Sequence, residues 1–558
     1  MKIELKIEPG KTLLAALREQ RIYIDAPCGG NGNCGRCMVR FLDDTPHPTE
    51  KEKHLLSETE LAEGIRLACA AHPPGKYTVE VLFQREEEMA VLVGEEFTGK
   101  RMTGRTAGYG AAIDIGTTTL AASLLDPASG RRIATAFSVN HQRAYGADVI
   151  SRIQAACGGA KEALQQSICA DIGELLRQLT KKAGISAEAV SEIVVAGNTT
   201  MCHLLRGLSC AGLGAAPFMP EDISLWEGSV KEFPGLSGWN ARMTILPGVS
   251  AFVGADIVAG IYGSGMDLKE SNLFLDIGTN GEMAIGGREG FLVTSAAAGP
   301  VFEGGNIECG VPSVTGAVAG ISLALVNSEK NDGYGQNEDE AEEDDRQALC
   351  LVTTGCTIIG GAAAEHLDSN APIGFCGTGI IDVMGELVRL GLVDENGTLD
   401  EPWFDAGVTL ADGKLRFSQA DIRQVQMGKS AIRAGIETLL EKSGKEDFGK
   451  VCVAGGFGSY LNVEQAIRIG MFPKEFAGRV EMIGNSALAG AEKFLLADRR
   501  AAAERMDRII RQTTEINLAM DAGFNERYLS HMFFIREELA APLNMQSFLN
   551  EGEQEENS

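Results

Sequence analysis

Apolar and charged residues alternate from the start of the chain, and "MKIELKIEPG" places Ile3, Leu5 and Ile7 on one face of a strand. The spacing becomes helical in "GKTLLAALREQ" and alternates again in "YTVEVLFQ" near residue 80, which predicts a small strand, helix and strand module over 1–84. Farther along, "YGAAIDIGTTTLAASLLD" and "NLFLDIGTNGEMAIGG" each read as an apolar strand, a tip of glycine and hydroxyl residues, and a second apolar strand. "VCVAGGFGSYLN" is an apolar strand followed by a glycine turn and a helical pattern, and the run from Arg499 to Met532 has helical spacing and is expected to pack on the main body. Three stretches carry no sustained period. Residues 85–107 read as a linker in which "MAVLV" docks briefly as a strand, 328–346 as an acidic surface insertion, and "EGEQEENS" as a frayed end. The expected organisation is thus a module at 1–84, the linker at 85–107, two halves of a large body at 108–270 and 271–498, and a helical extension with an acidic tail at 499–558.

Length and charge narrow the function classes. A chain of 558 residues exceeds one compact core, and 44 % hydrophobic with 23 % charged residues is a globular composition. A formal net charge of -27 repels nucleic-acid phosphates and anionic membrane surfaces, both of which are held mainly through Lys and Arg, and so argues against either partner. The start has no apolar signal core, and no window reaches the roughly 18 to 20 apolar residues of a spanning helix, so a cytoplasmic location is expected.

Thirteen cysteines, an odd number unevenly spread, argue against a disulfide framework and for metal or redox chemistry where they cluster. The cluster is "CGGNGNCGRC", with Cys28, Cys34 and Cys37 spaced C-x5-C-x2-C, followed by a distant Cys69 in "RLACAA". Four thiolates is the ligand count of a [2Fe-2S] centre, and Gly29, Gly30, Gly32 and Gly35 let backbone N–H groups approach its sulfides. A structural zinc site is the alternative, but zinc sites usually pair two C-x2-C knuckles, whereas here three ligands share one loop and the fourth stands alone. The spacing resembles adrenodoxin-like [2Fe-2S] ferredoxins, which implies an electron carrier. The other cysteines, Cys309 among them, lack metal spacing and read as small packed side chains.

The two hairpins supply the second chemistry. Asp114, Gly116, Thr117, Thr118 and Thr119 at the first tip, and Asp276, Gly278, Thr279, Asn280 and Gly281 at the second, offer N–H and O–H groups to phosphates while a carboxylate holds Mg²⁺ through water. Two copies of one hairpin about 160 residues apart suggest a duplicated α/β domain with a nucleotide between its halves. Two more glycine turns follow, "GFCGTGIID" and "VCVAGGFGSYLN", while no Walker A loop is present and no G-x-G-x-x-G opens a Rossmann unit.

This order of two phosphate hairpins, a G-T-G-x-x-D turn and a G-G turn resembles the acetate and sugar kinase, heat-shock ATPase and actin superfamily, over roughly 108–496. The resemblance implies an α+β ferredoxin-like (β-grasp) domain followed by a two-lobed α/β RNase H-like ATPase that closes on ATP and Mg²⁺. It assigns Asp114, Gly116, Thr117, Thr118, Asp276, Gly278, Thr279, Asn280, Gly281, Gly377, Thr378, Gly379 and Asp382 to phosphates and metal, and Gly455, Gly456 and Gly458 to adenosine.

A [2Fe-2S] module tethered to such an ATPase resembles the reductive activators of corrinoid proteins, through the N-terminal cysteines, "YGAAIDIGTTT", "LPGVSAFVGADIVAGI", "LFLDIGTNGEMAI", "AAAGPVFEGGNIECG" and "VAGGFGSYL". The resemblance implies one-electron, ATP-dependent return of a Co(II) corrinoid to Co(I), a corrinoid protein of a methyltransferase system as partner, an upstream low-potential electron donor, and a homodimer for which no motif is visible. "GPVFEGGNIECG" is a candidate contact with partner or nucleotide. The rival readings are an activator of 2-hydroxyacyl-CoA dehydratases, for which Cys376 is the only local similarity, a redox-sensing ATP-binding regulator, and a small-molecule kinase with an appended ferredoxin.

Overall fold

The computed structural model describes residues 2–82, 108–327, 349–359 and 372–534, apart from 21, 23, 25, 27–29, 31, 33, 34, 412, 446, 447 and 456–459. The linker, the acidic insertion, the acidic tail, Cys28, Cys34, Gly29, Gly456 and Gly458 therefore lie outside the described residues, in whole or in large part.

The N-terminal module is one four-stranded sheet in the order β1-β4-β2-β3, built from β1 (Lys2–Ile7), β2 (Met38–Phe41), β3 (Ile65–Leu67) and β4 (Gly75–Val81). The expected alternation appears in β1, where Leu5 and Ile7 are buried, and they share a core with Leu13, Leu14 and Leu17 of the helix Leu13–Glu19. Thr12 caps that helix by accepting from the Ala15 N–H. The module has more parts than the sequence pattern suggested: short helices at Glu50–Leu55 and Glu58–Ala62, each opened by a capping box, precede β3.

Two sheets of like topology follow. The first comprises β5 (Tyr109–Ile115), β6 (Thr119–Asp126), β7 (Arg131–Val139), β8 (Val190–Gly197), β9 (Trp226–Ser229) and β10 (Arg242–Ile245), in the order β7-β6-β5-β8-β10-β9. The second comprises β11 (Asn272–Ile277), β12 (Gly281–Gly287), β13 (Gly290–Ala296), β19 (Val451–Gly455), β20 (Val480–Gly484) and β21 (Thr513–Glu515), in the order β20-β19-β11-β12-β13-β21. In each, three antiparallel strands in sequence are extended by parallel strands beside the first of them. The second lobe also carries β14 (Ala317–Asn327), β15 (Leu349–Ile358) and β16 (Gly374–Phe375) as a three-stranded sheet, and the hairpin β17 (Val408–Leu410) with β18 (Leu415–Phe417).

The central strands are apolar at successive positions because both faces are covered. In β5, Ala111, Ile113 and Ile115 face the core of the first lobe, whereas Ala112 faces a core between the lobes. β11 divides likewise: Leu273, Leu275 and Ile277 enter the second-lobe core and Phe274 enters the shared one. The shared core is filled by the helices Ala255–Ser264, Ser486–Leu496 and Arg499–Arg511. The first two of these cross with backbones in contact, since a Cβ on Gly490 would lie 2.1 Å from the Ala259 carbonyl oxygen. Gly490→Ala is accordingly expected to lower the stability of the two-lobed body by about 1–3 kcal/mol, the usual cost of overpacking. Thermal melting checks this against Gly158→Ala, whose Cβ meets nothing within 4 Å.

The expected helical extension is corrected in one respect. The helix from Arg499 stops at Arg511, and Thr513–Glu515 then pairs in parallel with Phe291–Val293 as the last strand of the second sheet before a short helix at Phe524–Ser530. "TTE" is β-compatible, and the open edge of β13 gives its N–H and C=O groups partners.

Candidate functional sites: a cysteine loop and an interlobe cleft

Cys37 and Cys69 are both buried and share the core of the N-terminal module. Their approach is set by backbone: the Ala68 N–H donates to the Cys37 carbonyl at 2.8 Å, and the Leu14 N–H donates to the Ala68 carbonyl at 2.8 Å. The Glu52 carboxylate, itself buried, accepts from the Leu67 N–H at 2.8 Å and anchors the strand that leads into Cys69. Gly30, Gly32 and Gly35 have φ of 102°, 73° and 70°, so the cysteine loop follows a left-handed path that other residues resist. A Cβ on Gly30 would stand 3.9 Å from the Cβ of Cys69 and 3.2 Å from Leu14, so the backbone at Gly30 lies close to Cys69. Two soft sulfur donors, Cys37 and Cys69, beside the closely approaching backbone of Gly30 fit part of a [2Fe-2S] ligand set.

The second site is a cavity between the lobes. It is lined by Asp114, Gly116, Thr117, Thr118 and Thr119 from the β5–β6 hairpin, by Asp276, Gly278, Thr279 and Asn280 from the β11–β12 hairpin, and by Gly455 at the end of β19. These expected residues are thus brought together across the two lobes. Sequence reasoning missed Asn198, Asp256, Glu282 and Asn485, which line the same cavity together with Glu303 of the expected contact segment "GPVFEGGNIECG".

Some of these had a legible signal. Asn198 and Asn485 each follow a parallel strand in a G-N-[TS] step and cap the next helix, accepting from Met201 N and Leu488 N. Each also turns its amide nitrogen to a hairpin: Asn198 donates to Thr117 Oγ1 at 2.9 Å, and Asn485 to Asp114 Oδ2 at 2.8 Å. Glu282 was readable from hairpin register, because it pairs directly opposite Asp276 on the same face of the ladder.

Five of the expected residues that the structure describes are not in the lining of this cavity, Gly281 and four on one helix. Gly377, Thr378, Gly379 and Asp382 lie on the helix Gly377–Arg389, beneath β14 rather than on the cleft wall. Its glycines serve packing: a Cβ on Gly377 would stand 1.9 Å from the Phe302 carbonyl oxygen, and one on Gly379 would stand 2.1 Å from that of Val318. On β14, β16 covers Ala317 and Val318, which leaves the strand edge beyond them for this helix to satisfy. Asp382 accepts from Ile321 N, Glu386 accepts from Leu323 N at 2.9 Å, and Arg389 donates to the Leu323 carbonyl at 2.7 Å. Asp382, expected at the phosphates, is thus placed against the edge of β14 and outside the lining of this cavity. Gly281 is likewise outside the lining, and a Cβ there would stand 2.2 Å from Ile432 Cδ1.

Electrostatically the cleft is an anionic pocket. Asp114, Asp256, Asp276, Glu282 and Glu303 line it, and no Lys or Arg does so among the described residues. Removal from bulk water and mutual repulsion push Asp276 up to about 8, with Asp256 and Asp114 as the repelling neighbours. Burial likewise raises Asp114 to about 7, and Asp256 to about 6. Burial, Asp256 and Asp276 also hold Glu282 well above the ordinary carboxylate range. No group of three or more His, Cys, Asp or Glu side chains among the described residues is arranged to hold a metal ion directly.

A pH dependence follows. The folded state holds protons on these carboxylates that the unfolded chain releases near 3.8, so stability falls as pH rises from there through about 8. Melting of the ligand-free protein is expected at a lower temperature at pH 8 than at pH 6. Mg²⁺ with ADP is expected to stabilise more at pH 8, where fewer protons must leave to admit the cation. The opposite order in calorimetry at the two pH values would mean that these groups are ionised and paired in the folded protein.

Known proteins agree with this architecture. Residues 1–74 match the 2Fe-2S iron-sulfur cluster binding domain, 109–269 the RACo middle region, and 270–545 the C-terminal domain of RACo, the ASKHA domain. The corrinoid activation enzyme RamQ of Eubacterium limosum is 32 % identical over 461 residues, covering 76 % of this chain and 70 % of that protein. The [Co(II) methylated amine-specific corrinoid protein] reductase of Methanosarcina barkeri is 24 % identical, covering 76 % and 77 %. The solved structure of a reductive activator for corrinoid,iron-sulfur protein is 26 % identical and superposes with a TM-score of 0.64 over 95 % of this chain and 96 % of its own. With a [2Fe-2S] domain ahead of a two-lobed ASKHA body that matches these proteins across most of its length, the chain belongs to the family of reductive corrinoid-activating proteins.

Proposed function

We propose that this protein is an ATP-dependent reductive activator that passes one electron to a Co(II) corrinoid held by a partner protein of a methyltransferase system and so regenerates Co(I). The reading is carried by the joining of a [2Fe-2S] module to a two-lobed nucleotide cleft in a chain 32 % identical to RamQ. When bound at Cys28, Cys34, Cys37 and Cys69, the cluster supplies a one-electron donor that an upstream low-potential reductant refills.

The two hairpins account for the need for ATP. Co(I) is a very strong reductant; plant-type clusters lie near about -400 mV, and each tenfold equilibrium penalty corresponds to about 59 mV for one electron. The transfer is uphill unless the protein favours one state of its partner. Thr117 and Thr118 on one lobe and Thr279 and Asn280 on the other would hold phosphates from both sides, while Asp114, Asp256, Asp276 and Glu282 orient the waters of a Mg²⁺ ion. Closure of the lobes on that ligand changes the surface offered to the corrinoid protein, and differential affinity for its conformations shifts the redox equilibrium. The crossing of Ala255–Ser264 with Ser486–Leu496 in the shared core is the element about which such closure would turn.

The activator of 2-hydroxyacyl-CoA dehydratases is the weaker reading. Cys376 is buried at the start of its helix with its sulfur 3.3 Å from Thr378 Oγ1, which leaves it no access to a cluster shared with another subunit.

The deciding experiment mixes the anaerobically reduced protein with a Co(II) corrinoid protein from the same source and follows the visible spectrum with and without Mg-ATP. The Co(I) band, dependent on ATP and discharged by a methyl donor, is the expected result. A cluster that reduces and reoxidises while cobalt stays unchanged across several corrinoid proteins would overturn the reading.

A further inference from the structure

Of the five carboxylates that line the cleft, Glu303 is bound to the hydroxyls of both hairpins. Glu303 ends the single turn Pro300–Glu303 of the second lobe, and its Oε2 accepts from Thr118 Oγ1 at 2.9 Å and from Thr279 Oγ1 at 2.5 Å. Thr118 belongs to the first-lobe hairpin and Thr279 to the second-lobe hairpin, so one carboxylate ties the two phosphate loops together across the cleft. Each threonine hydroxyl has a single proton to donate. While Glu303 accepts both, neither is available to a phosphate oxygen, and the carboxylate repels the same anion.

We infer that Glu303 is a latch that ties the two phosphate loops together through their threonine hydroxyls, and that the nucleotide's phosphates must displace it. The inference rests on the proposed nucleotide site. It makes ATP binding a competition between two anions for the same two hydroxyls and gives Glu303 a role as a sensor of occupancy.

The segment behind Glu303 is built to pass the displacement on. The Phe302 carbonyl sits where a side chain on Gly377 would be, so the turn bears directly on the start of the helix Gly377–Arg389. Beyond the turn, the Glu308 N–H donates to Asp421 Oδ1 at 2.8 Å, the Arg416 N–H to Cys309 Sγ at 3.4 Å, and the Arg416 guanidinium to Glu308 Oε1 at 3.4 Å. Glu308 and Arg416 are exposed, so movement of the turn reaches the protein surface beside the β17–β18 hairpin. This gives the expected contact segment "GPVFEGGNIECG" a definite task, with its inner end reading the nucleotide and its outer end offering the result to a partner.

The test compares wild type with Glu303→Gln and Glu303→Asp by calorimetric titration with ADP and ATP in Mg²⁺, and by hydrogen–deuterium exchange. A latch closed nine-tenths of the time lowers apparent affinity about tenfold, so Glu303→Gln is expected to bind ATP about tenfold more tightly. Glu303→Asp, too short to reach both hydroxyls, should fall between the two. In wild type, ATP should change exchange at 301–311 and 408–417, and in Glu303→Gln it should not. Equal or weaker binding by Glu303→Gln, with exchange still responsive, would show that Glu303 supports the ligand and would overturn the latch while leaving the cleft assignment standing. Absence of nucleotide binding by wild type would overturn the cleft and the latch together.

Discussion

Cys69→Ser is expected to reduce electron delivery to the rate seen without protein, while ATP binding stays at the wild-type level. Cys69 sits in a turn whose neighbours are pinned by backbone hydrogen bonds to Cys37 and to the helix Leu13–Glu19, so the substituted side chain stays in place and only the donor atom changes. A serine oxygen is a hard donor where iron–sulfur chemistry takes soft thiolate. The visible absorption of the cluster and its reduced-state paramagnetic resonance should be lost or displaced, and the melting transition of the two-lobed body should be unmoved because its cores contain no residue of the module. Retained transfer would remove Cys69 from the ligand set. Loss of ATP binding as well would show that module and body do not act as separable parts.

Asp276→Asn is the complementary experiment. It should leave the cluster spectrum intact and weaken Mg-nucleotide binding roughly a hundredfold, the upper range for removing a group that orients a metal's ligands. ATP-dependent activation should vanish with it. The same change is expected to raise the melting temperature of the ligand-free protein at pH 8. Asp276 faces Glu282 across the ladder and is pushed up by burial, Asp256 and Asp114, so removing its charge relieves repulsion that the Ser486 hydroxyl offsets only in part. A residue kept at a cost in stability is the pattern expected of a functional group. Unchanged activation would mean that the phosphates sit elsewhere, and a lower melting temperature would mean that Asp276 is paired in the folded state.

Much of this was legible from periodicity and spacing. The alternation at Ile3, Leu5 and Ile7, the two hairpins and the apolar strand before Gly455 all appear where the pattern put them, because a strand's neighbours are encoded within a few residues. The local content of each hairpin tip was enough to bring Asp114, Thr117, Thr118, Asp276, Thr279 and Asn280 to one cavity once their topology was duplicated. The "GFCGTGIID" turn lies outside the cavity lining, a placement its sequence does not reveal: glycines that admit a phosphate and glycines that admit a neighbouring carbonyl have the same local sequence. Only the position of Phe302 and Val318 distinguishes them. "TTE" was absorbed into a helical run because three residues carry too little period to stand against the helix before them.

What the sequence by itself determined was the inventory of chemistry: a thiolate set, two phosphate hairpins, an acidic surface and the order in which they occur. Tertiary structure decided which groups share a space. Asn198 and Asn485 meet the hairpins, and Glu303 spans Thr118 and Thr279, across separations of 81, 371, 185 and 24 residues. No local pattern carries such distances. They arise because two sheets of like topology bury their facing strands against a shared set of helices, and that packing alone brings both hairpins to one cleft.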